Sequence, residues 1–360
     1  MTKLLGTLLS FIFFIPLMAQ EPEKRIVKKD SSNKYTDSIR SLPPLEIRSI
    51  RVSEQAPFAK TNISKAQIAL NNVGQDLPFL LENTPSVVVH ADAGIGVGYT
   101  GIRIRGTDAT RINFTLNGIP YNDPESQSVF SVNIGDIASS VNDIQIQRGV
   151  GTSTNGASAF GASINLATND YRPAQYLSLQ NSIGSFNTQK NNLQFGSGLL
   201  NNRLTIDGRI SNIISNGFID RAKSDLKSFY LSTTYWGDKS SLRLNIFSGK
   251  EKTYQAWNGV PKSYLDSLPT FNPYNYEDEV DDYKQTHFQL HYKKQFSTKT
   301  YLNLASHYTK GGGYYQQYIG TEHNSILYND DYIFGQNTLS YYGLEDVIID
   351  GDTTSISNLV

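Results

Sequence analysis

Between residues 176 and 308 apolar and polar side chains alternate with a period of two, and no other feature restricts so tightly what the chain can fold into. That period puts successive side chains on opposite faces of an extended strand. Leu177, Leu179 and Ile183 oppose Ser178, Gln180 and Ser182, and Leu204, Ile206 and Ile210 oppose Thr205, Asp207 and Arg209. Leu242, Leu244 and Ile246 oppose Arg243 and Asn245, and Phe288, Leu290 and Tyr292 oppose His287, Gln289 and His291. With similar segments around Leu193, Leu231 and Leu302, the pattern predicts about seven strands.

A soluble sandwich would alternate in the same way. Two features favour a membrane barrel instead. The polar faces carry charges at strand centres, as a water-filled lumen would, and the apolar faces end in aromatic residues, as interfacial girdles do. The connections also alternate in length: 201–202, 236–240 and 297–299 are tight, whereas 212–225, 250–283 and everything after 310 are long. Only the first hairpin, at 184–187, is short where a long loop is allowed. Tight turns on one side and long loops on the other characterise outer-membrane barrels.

At the N-terminus Lys3 precedes an apolar run over residues 4–17 that closes on Met18-Ala19-Gln20, the pattern of a secretory signal over residues 1–19. The run is shorter than the ~20 residues of a spanning helix and contains Pro16. No later stretch can cross a bilayer as a helix, so a membrane location requires a closed barrel. A formal charge of -1 argues against nucleic acid as a partner, and the absence of cysteine removes disulfides, thiolate metal sites and cysteine nucleophiles. Residues 20–44 are charged, poor in apolar side chains and end in Pro43-Pro44, which predicts a flexible leader.

Residues 45–170 read as a compact α+β unit. A strand is expected over 45–52, a capped helix over 64–71, a second helix over 76–83 stopped before Pro85, and a short buried strand at Val87-Val88-Val89. The glycine-rich stretch 91–106 ends in alternating Ile102, Arg103, Ile104 and Arg105, which would send both arginines from one strand face. Asn117-Gly118 between apolar residues marks a hairpin. A strand over 141–147 then runs into Arg148-Gly149, and a last one covers 164–167.

Neither glycine run ends in Gly-Lys-Ser/Thr or opens a helix within a βαβ unit, so no nucleotide site is expected. His287 and His291 would point the same way from a strand but stand ~13 Å apart, too far for one ion. No nucleophile, base and acid fall together at a believable turn, so no enzyme, cofactor or metal is expected.

Three segments carry a resemblance. GQDLPFLLENTPSVVV (74–89), GYTGIRIRGTDATRINFTLNGIPYNDPESQ (98–127) and IQIQRGVGTSTNGASAFGASINL (144–166) resemble the plug of TonB-dependent outer-membrane receptors, particularly the Bacteroidetes type. The resemblance implies an α+β plug over 45–170 followed, over 171–360, by the first ~7 antiparallel strands of a truncated transmembrane β-barrel. It implies a receptor exported to the outer membrane, in contact with its lipid, that imports a scarce bulky nutrient such as a ferric siderophore. TonB would engage a peptide between residues 21 and 52 by strand addition. The absence of room for an extra sandwich domain before residue 45 favours a metal chelate over a glycan. Ligand sensing or adhesion without transport, and a non-functional remnant, are the alternatives.

By the same resemblance, Arg105 and Arg148, with Arg103 sharing the role, would lock the plug to acidic groups on a part of the barrel wall outside this chain, a task that suits a planar, permanently charged guanidinium; the alternative is that they cap strand ends inside the plug. Gly101, Gly106, Gly118, Gly149 and Gly161 would serve positive φ or close backbone approach. Ligand contacts would come from the plug apices and long loops, with Tyr99, Tyr121, Asn122, Gln127, Tyr254 and Trp257 as candidates.

Overall fold

The computed structural model describes residues 51–52, 56–150, 159–168, 171–297 and 299–317, with short strand pieces at Leu327–Tyr328, Asp331–Tyr332, Val347–Ile349 and Asp352–Thr354. The expected signal segment, leader and most of the expected strand over 45–52 lie outside these residues.

The plug holds β1 (Lys60–Ser64), β2 (Val87–Ala91), β3 (Thr100–Ile104), β4 (Ile112–Leu116), β5 (Ile119–Pro120), β6 (Asp143–Arg148) and β7 (Ala162–Ala167). Five of them form one sheet in the order β1-β6-β7-β4-β5, with β4 and β7 parallel. The edge strand β1 gives no sequence signal, because KTNIS has one apolar side chain. Upstream of it, Val52 exchanges hydrogen bonds with the Gln145 side chain, and Arg51 pairs with Asp143. Helix α1 (Lys65–Asn71) starts at Ser64, whose N–H donates to Gln67 Oε1 at 2.8 Å, a capping contact readable from the Ser-x-x-Gln spacing. Helix α2 (Leu77–Leu80) starts after Asp76 and is shorter than expected; turns carry the chain on to Pro85.

Ile104, Ile112, Ile144, Ile146 and Ile164 are completely buried in the plug core. Each is worth about 1.5–3 kcal/mol relative to exposure. Strand β2 is only half-buried, with Val88 outward at 62 % exposure, because it pairs with β3 alone. At the hairpin, Asn117 and Gly118 both take positive φ (57° and 81°), as a tight I′ turn requires.

The wall is a seven-stranded antiparallel sheet of β8 (Tyr176–Gly184), β9 (Thr188–Gly196), β10 (Leu204–Ser215), β11 (Ser224–Trp236), β12 (Ser240–Tyr254), β13 (Val280–Gln295) and β14 (Tyr301–Tyr315), paired in chain order. Among the described residues β8 and β14 do not pair, so the sheet is open. Its apolar positions face out and its polar ones face the plug: Lys190, Arg209, Arg243 and Asn245 are buried while Leu177, Leu290 and Tyr308 are exposed. The strands run further than the sequence suggests. The connection expected over 212–225 shrinks to 216–223, and that over 250–283 to 255–279, which holds α3 (Lys262–Ser267). Residues 250–254 look like loop because they are charged, yet every second one turns inward and Glu251 is fully buried. No helix among the described residues is long and apolar enough to cross a membrane.

Candidate functional site

Tight turns at 237–239 and 296–300 define one end of the wall, and the connections 216–223 and 255–279 the other, which is outward by the loop asymmetry of such barrels. Plug loop 92–99 reaches that outward end. Phe218 N–H donates to the Ala93 carbonyl at 2.8 Å, and a Cβ on Gly94 would fall 2.9 Å from the Phe218 ring.

Beneath these loops, plug and wall enclose a cleft of about 300 Å³. The plug supplies Tyr99, Tyr121, Asp123, Glu125 and Phe130; β12 and β13 supply Glu251, Asp281, Tyr283 and Gln285. Tyr99 follows the glycine loop and enters β3, so its hydroxyl reaches across to Glu251 Oε1 (3.3 Å) and to Asp281. Burial first, then the two carboxylates, push the Tyr99 phenol above its ordinary value. Tyr121 donates to Gln285 Oε1 at 3.2 Å and lies against His287, with ring centroids 5.1 Å apart and the planes tilted by 47°; burial likewise raises its phenol. Four carboxylates and three phenols line the cleft, with no Lys, Arg or His among its lining residues.

The ligand-contact candidates separate here. Tyr99 and Tyr121 line the cleft, and Trp257 packs edge-on against Tyr99 at 5.4 Å without lining it. Asn122 is turned inward, accepting from Phe114 N–H and donating to the Ile112 and Gln127 carbonyls, so it ties its loop together. Gln127 donates to Pro124 O within the same loop, and Tyr254 bonds Tyr276 O at the root of the long connection.

Nor do the three arginines converge. Strand β3 ends at Ile104 and Arg105 adopts a left-handed turn (φ 53°), so the single face expected for Arg103 and Arg105 does not form. Both are exposed, Arg105 lies against Gly149, and Arg148 donates to Pro85 O at 3.2 Å. Among the described residues none of the three makes an ion pair. Of the five glycines, Gly106, Gly118 and Gly149 have positive φ, while a Cβ on Gly101 would meet the His90 ring and one on Gly161 the Thr107 hydroxyl. His287 and His291 both face inward as period two requires, and no metal-binding cluster occurs among the described residues.

The buried ion pairs between plug and wall centre on a group that the sequence reading passed over. Asp136, itself left-handed at φ 58°, is completely buried between β9 and β10. Its Oδ1 takes Lys190 Nζ at 2.7 Å, and its Oδ2 takes Asn192 Nδ2 and Ser211 Oγ at 2.6 Å, with Arg209 Nη1 at 3.4 Å. Burial alone would raise this carboxyl, but Arg209, Lys190 and the Ser139 hydroxyl together hold it below the ordinary value. Ser228 of β11 adds a bond to Gly135 O. Asp76 behaves oppositely: burial, against a hydrogen bond from Thr100, raises it to about 8. The available signal was an acid inside the largely apolar run 132–141.

The sequence pattern of the TonB-dependent Receptor Plug Domain matches residues 52–163. Beyond the plug, the fold with its adjoining wall is that of solved receptors. The closed form of the ferric-catecholate import receptor Fiu from E. coli K12 superposes with a TM-score of 0.59 at 17% identity, over 75% of this chain and 40% of its own. Residues 52–163 of the chain are thus similar to the plug of TonB-dependent receptors. The ferric yersiniabactin uptake receptor FyuA from Yersinia pestis matches at a TM-score of 0.59 and 11% identity, over 73% of this chain and 42% of its own. The siderophore receptor PiuA from Acinetobacter baumannii gives 0.55 and 18%, over 75% and 40%. At such identities the likeness is one of fold. This chain spans about two fifths of the length of those structures. A comparison with curated proteins gives no match. The plug family consists of receptors and transporters, not enzymes.

Proposed function

We propose that this chain forms the plug and adjoining wall of an outer-membrane receptor that imports a bulky metal chelate, a ferric siderophore or close analogue, with TonB supplying energy through a peptide between residues 21 and 52. The observation that carries the reading is the outward cleft, where Tyr99 and Tyr121 from the plug meet Glu251 and Asp281 from the wall. A ligand seated there touches both parts at once, so its binding can alter how the plug sits. Receptors of like fold named for ferric siderophores support the ligand class. An acidic, phenolic lining disfavours a polyanionic chelate by Coulomb repulsion in a partly desolvated site and suits a neutral or cationic one.

The test is uptake of radiolabelled iron by cells lacking and regaining the gene under iron limitation. Uptake of a cationic ferric trihydroxamate should depend on the gene, exceed that of a trianionic ferric tris-catecholate, and fall in Tyr99→Phe. Unimpaired growth of the deletion strain on every limiting metal chelate would sink the reading.

A further inference from the structure

From Asp136 towards the tight-turn end of the wall, plug and wall border a second cavity of about 30 Å³. Its lining carries three guanidinium groups against one carboxylate, Asp207. Arg172 comes from the connection between plug and wall, Arg209 from β10 and Arg243 from β12. Arg209 is 2% exposed, yet its donors are not all used. Its Nε donates to Ser140 Oγ at 2.8 Å and its Nη1 lies 3.4 Å from Asp136 Oδ2, while Nη2 is buried with no hydrogen-bond partner among the described residues. Ser140, on the plug side of the cavity, accepts that bond and keeps its own O–H to donate.

The charge balance points the same way. Asp136 is one carboxylate facing two buried cations, since it takes Lys190 as well as Arg209. Arg243 is as deeply buried as Arg209; it donates from Nε to Thr234 Oγ1 at 2.7 Å and stands over the Trp236 ring at 5.7 Å. Arg172 donates to Asn142 Oδ1 at 3.2 Å. With Lys190 and Asp136 counted beside the lining, four cations meet two carboxylates. At ~10–15 Å³ each, two or three waters fit the cavity and can satisfy the stray N–H, but they leave the excess charge in place. Buried charge calls for a counter-charge.

We propose that this cavity binds one tetrahedral inorganic oxyanion of the phosphate or sulfate kind, held between the guanidinium groups of Arg172, Arg209 and Arg243 and the Ser140 hydroxyl of the plug. A guanidinium presents its N–H groups in a planar fork that matches the oxygens of such an anion, and the anion's charge offsets the surplus of cations. Bound there, the anion touches plug and wall together and fastens one to the other. The inference rests on the seated plug and not on any imported ligand, because the outward cleft is lined by carboxylates and phenols and repels the same anion.

The test uses the full receptor, purified in an uncharged detergent and dialysed free of phosphate and sulfate, with radiolabelled inorganic phosphate as the probe in equilibrium dialysis at fixed ionic strength. Wild type should bind one phosphate per receptor, displaced by sulfate but not by an equal concentration of chloride. Its heat-denaturation midpoint should rise with phosphate concentration by mass action, a readout that stands even if a variant fails to fold. Arg172→Gln and Arg243→Gln should each weaken phosphate binding at least about tenfold, the size expected for a lost hydrogen bond to a charged group, and Arg172→Lys should lose less. Lys284→Gln, at an exposed position of β13, should bind as wild type does. Absence of saturable phosphate binding, which would mean that water alone occupies the cavity, displacement by chloride, or unchanged affinity in either glutamine variant would overturn the proposal. Failure of metal-chelate uptake alone would count only against the transport reading.

Discussion

In the plug, Ile104, Ile112, Ile144 and Ile146 are fully buried, whereas in the wall Leu177, Leu179 and Ile183 are 68–88% exposed and Lys190, Arg209 and Arg243 are buried. The same physics sorts both. The plug buries apolar groups among themselves, while the wall turns them outward and keeps its polar groups for the side that faces the plug. Where the two surfaces meet, the plug's Asp136 supplies the counter-charge for the buried Lys190 and Arg209 of the wall.

Removing that counter-charge should break the arrangement most severely. Asp136→Ala leaves Lys190 and Arg209 buried without their carboxylate, and the receptor should lose about 3–5 kcal/mol, read as a lower urea midpoint. Replacing Lys190 by Gln in that background should recover part of the loss; no recovery would mean the ion pair is not what joins plug to wall.

Asp76 sharpens the comparison with the opposite sign, since it is buried without a cation. Unfolded, its carboxyl loses its proton near 3.8; folded, it keeps it to about 8. The folded state therefore holds the extra proton across that window, and stability falls as pH rises through it. Asp76→Asn should flatten this dependence and stabilise the receptor by roughly 3 kcal/mol at pH 6, seen in heat-denaturation midpoints from pH 4 to 8. Parallel curves for variant and wild type would show that Asp76 ionises normally.

The two apolar surfaces should respond unequally to truncation. Ile146→Ala opens a cavity in the plug core and should cost about 2–3 kcal/mol, whereas Leu290→Ala, where lipid fills the space, should cost under about 1 kcal/mol. Equal costs would mean that lipid does not cover β13. The smallest effect belongs to Tyr121→Phe, which removes one hydrogen bond to Gln285 and should weaken chelate binding by about fivefold, or ~1 kcal/mol, in equilibrium titrations.

Much of the fold was legible from local rules. Asn117-Gly118 specified its turn, Ser64 and Gln67 the start of α1, and alternation from residue 176 the seven strands with their inward and outward faces. The misreadings have local causes too. The polar KTNIS stretch hides β1, and the charges over 250–254 disguise strand as loop. Alternation through Arg105 ignores the turn that ends β3. The cleft was half legible: its plug tyrosines lie in a recognisable loop, but Glu251 and Asp281 look like any charges near a strand end until β12 and β13 pair.

The sequence by itself determined which wall side chains share the outward face and which share the inward one, because period two is a property of the extended backbone and needs no partner. Tertiary structure alone decided which lumen-facing charges matter. Lys190 and Arg209 lie 54 and 73 positions from Asp136, and nothing along the chain sets them apart from other inward polar residues. Their meaning arises only when the plug seats a carboxylate between β9 and β10, because the strength of a charge pair depends on distance and burial in three dimensions.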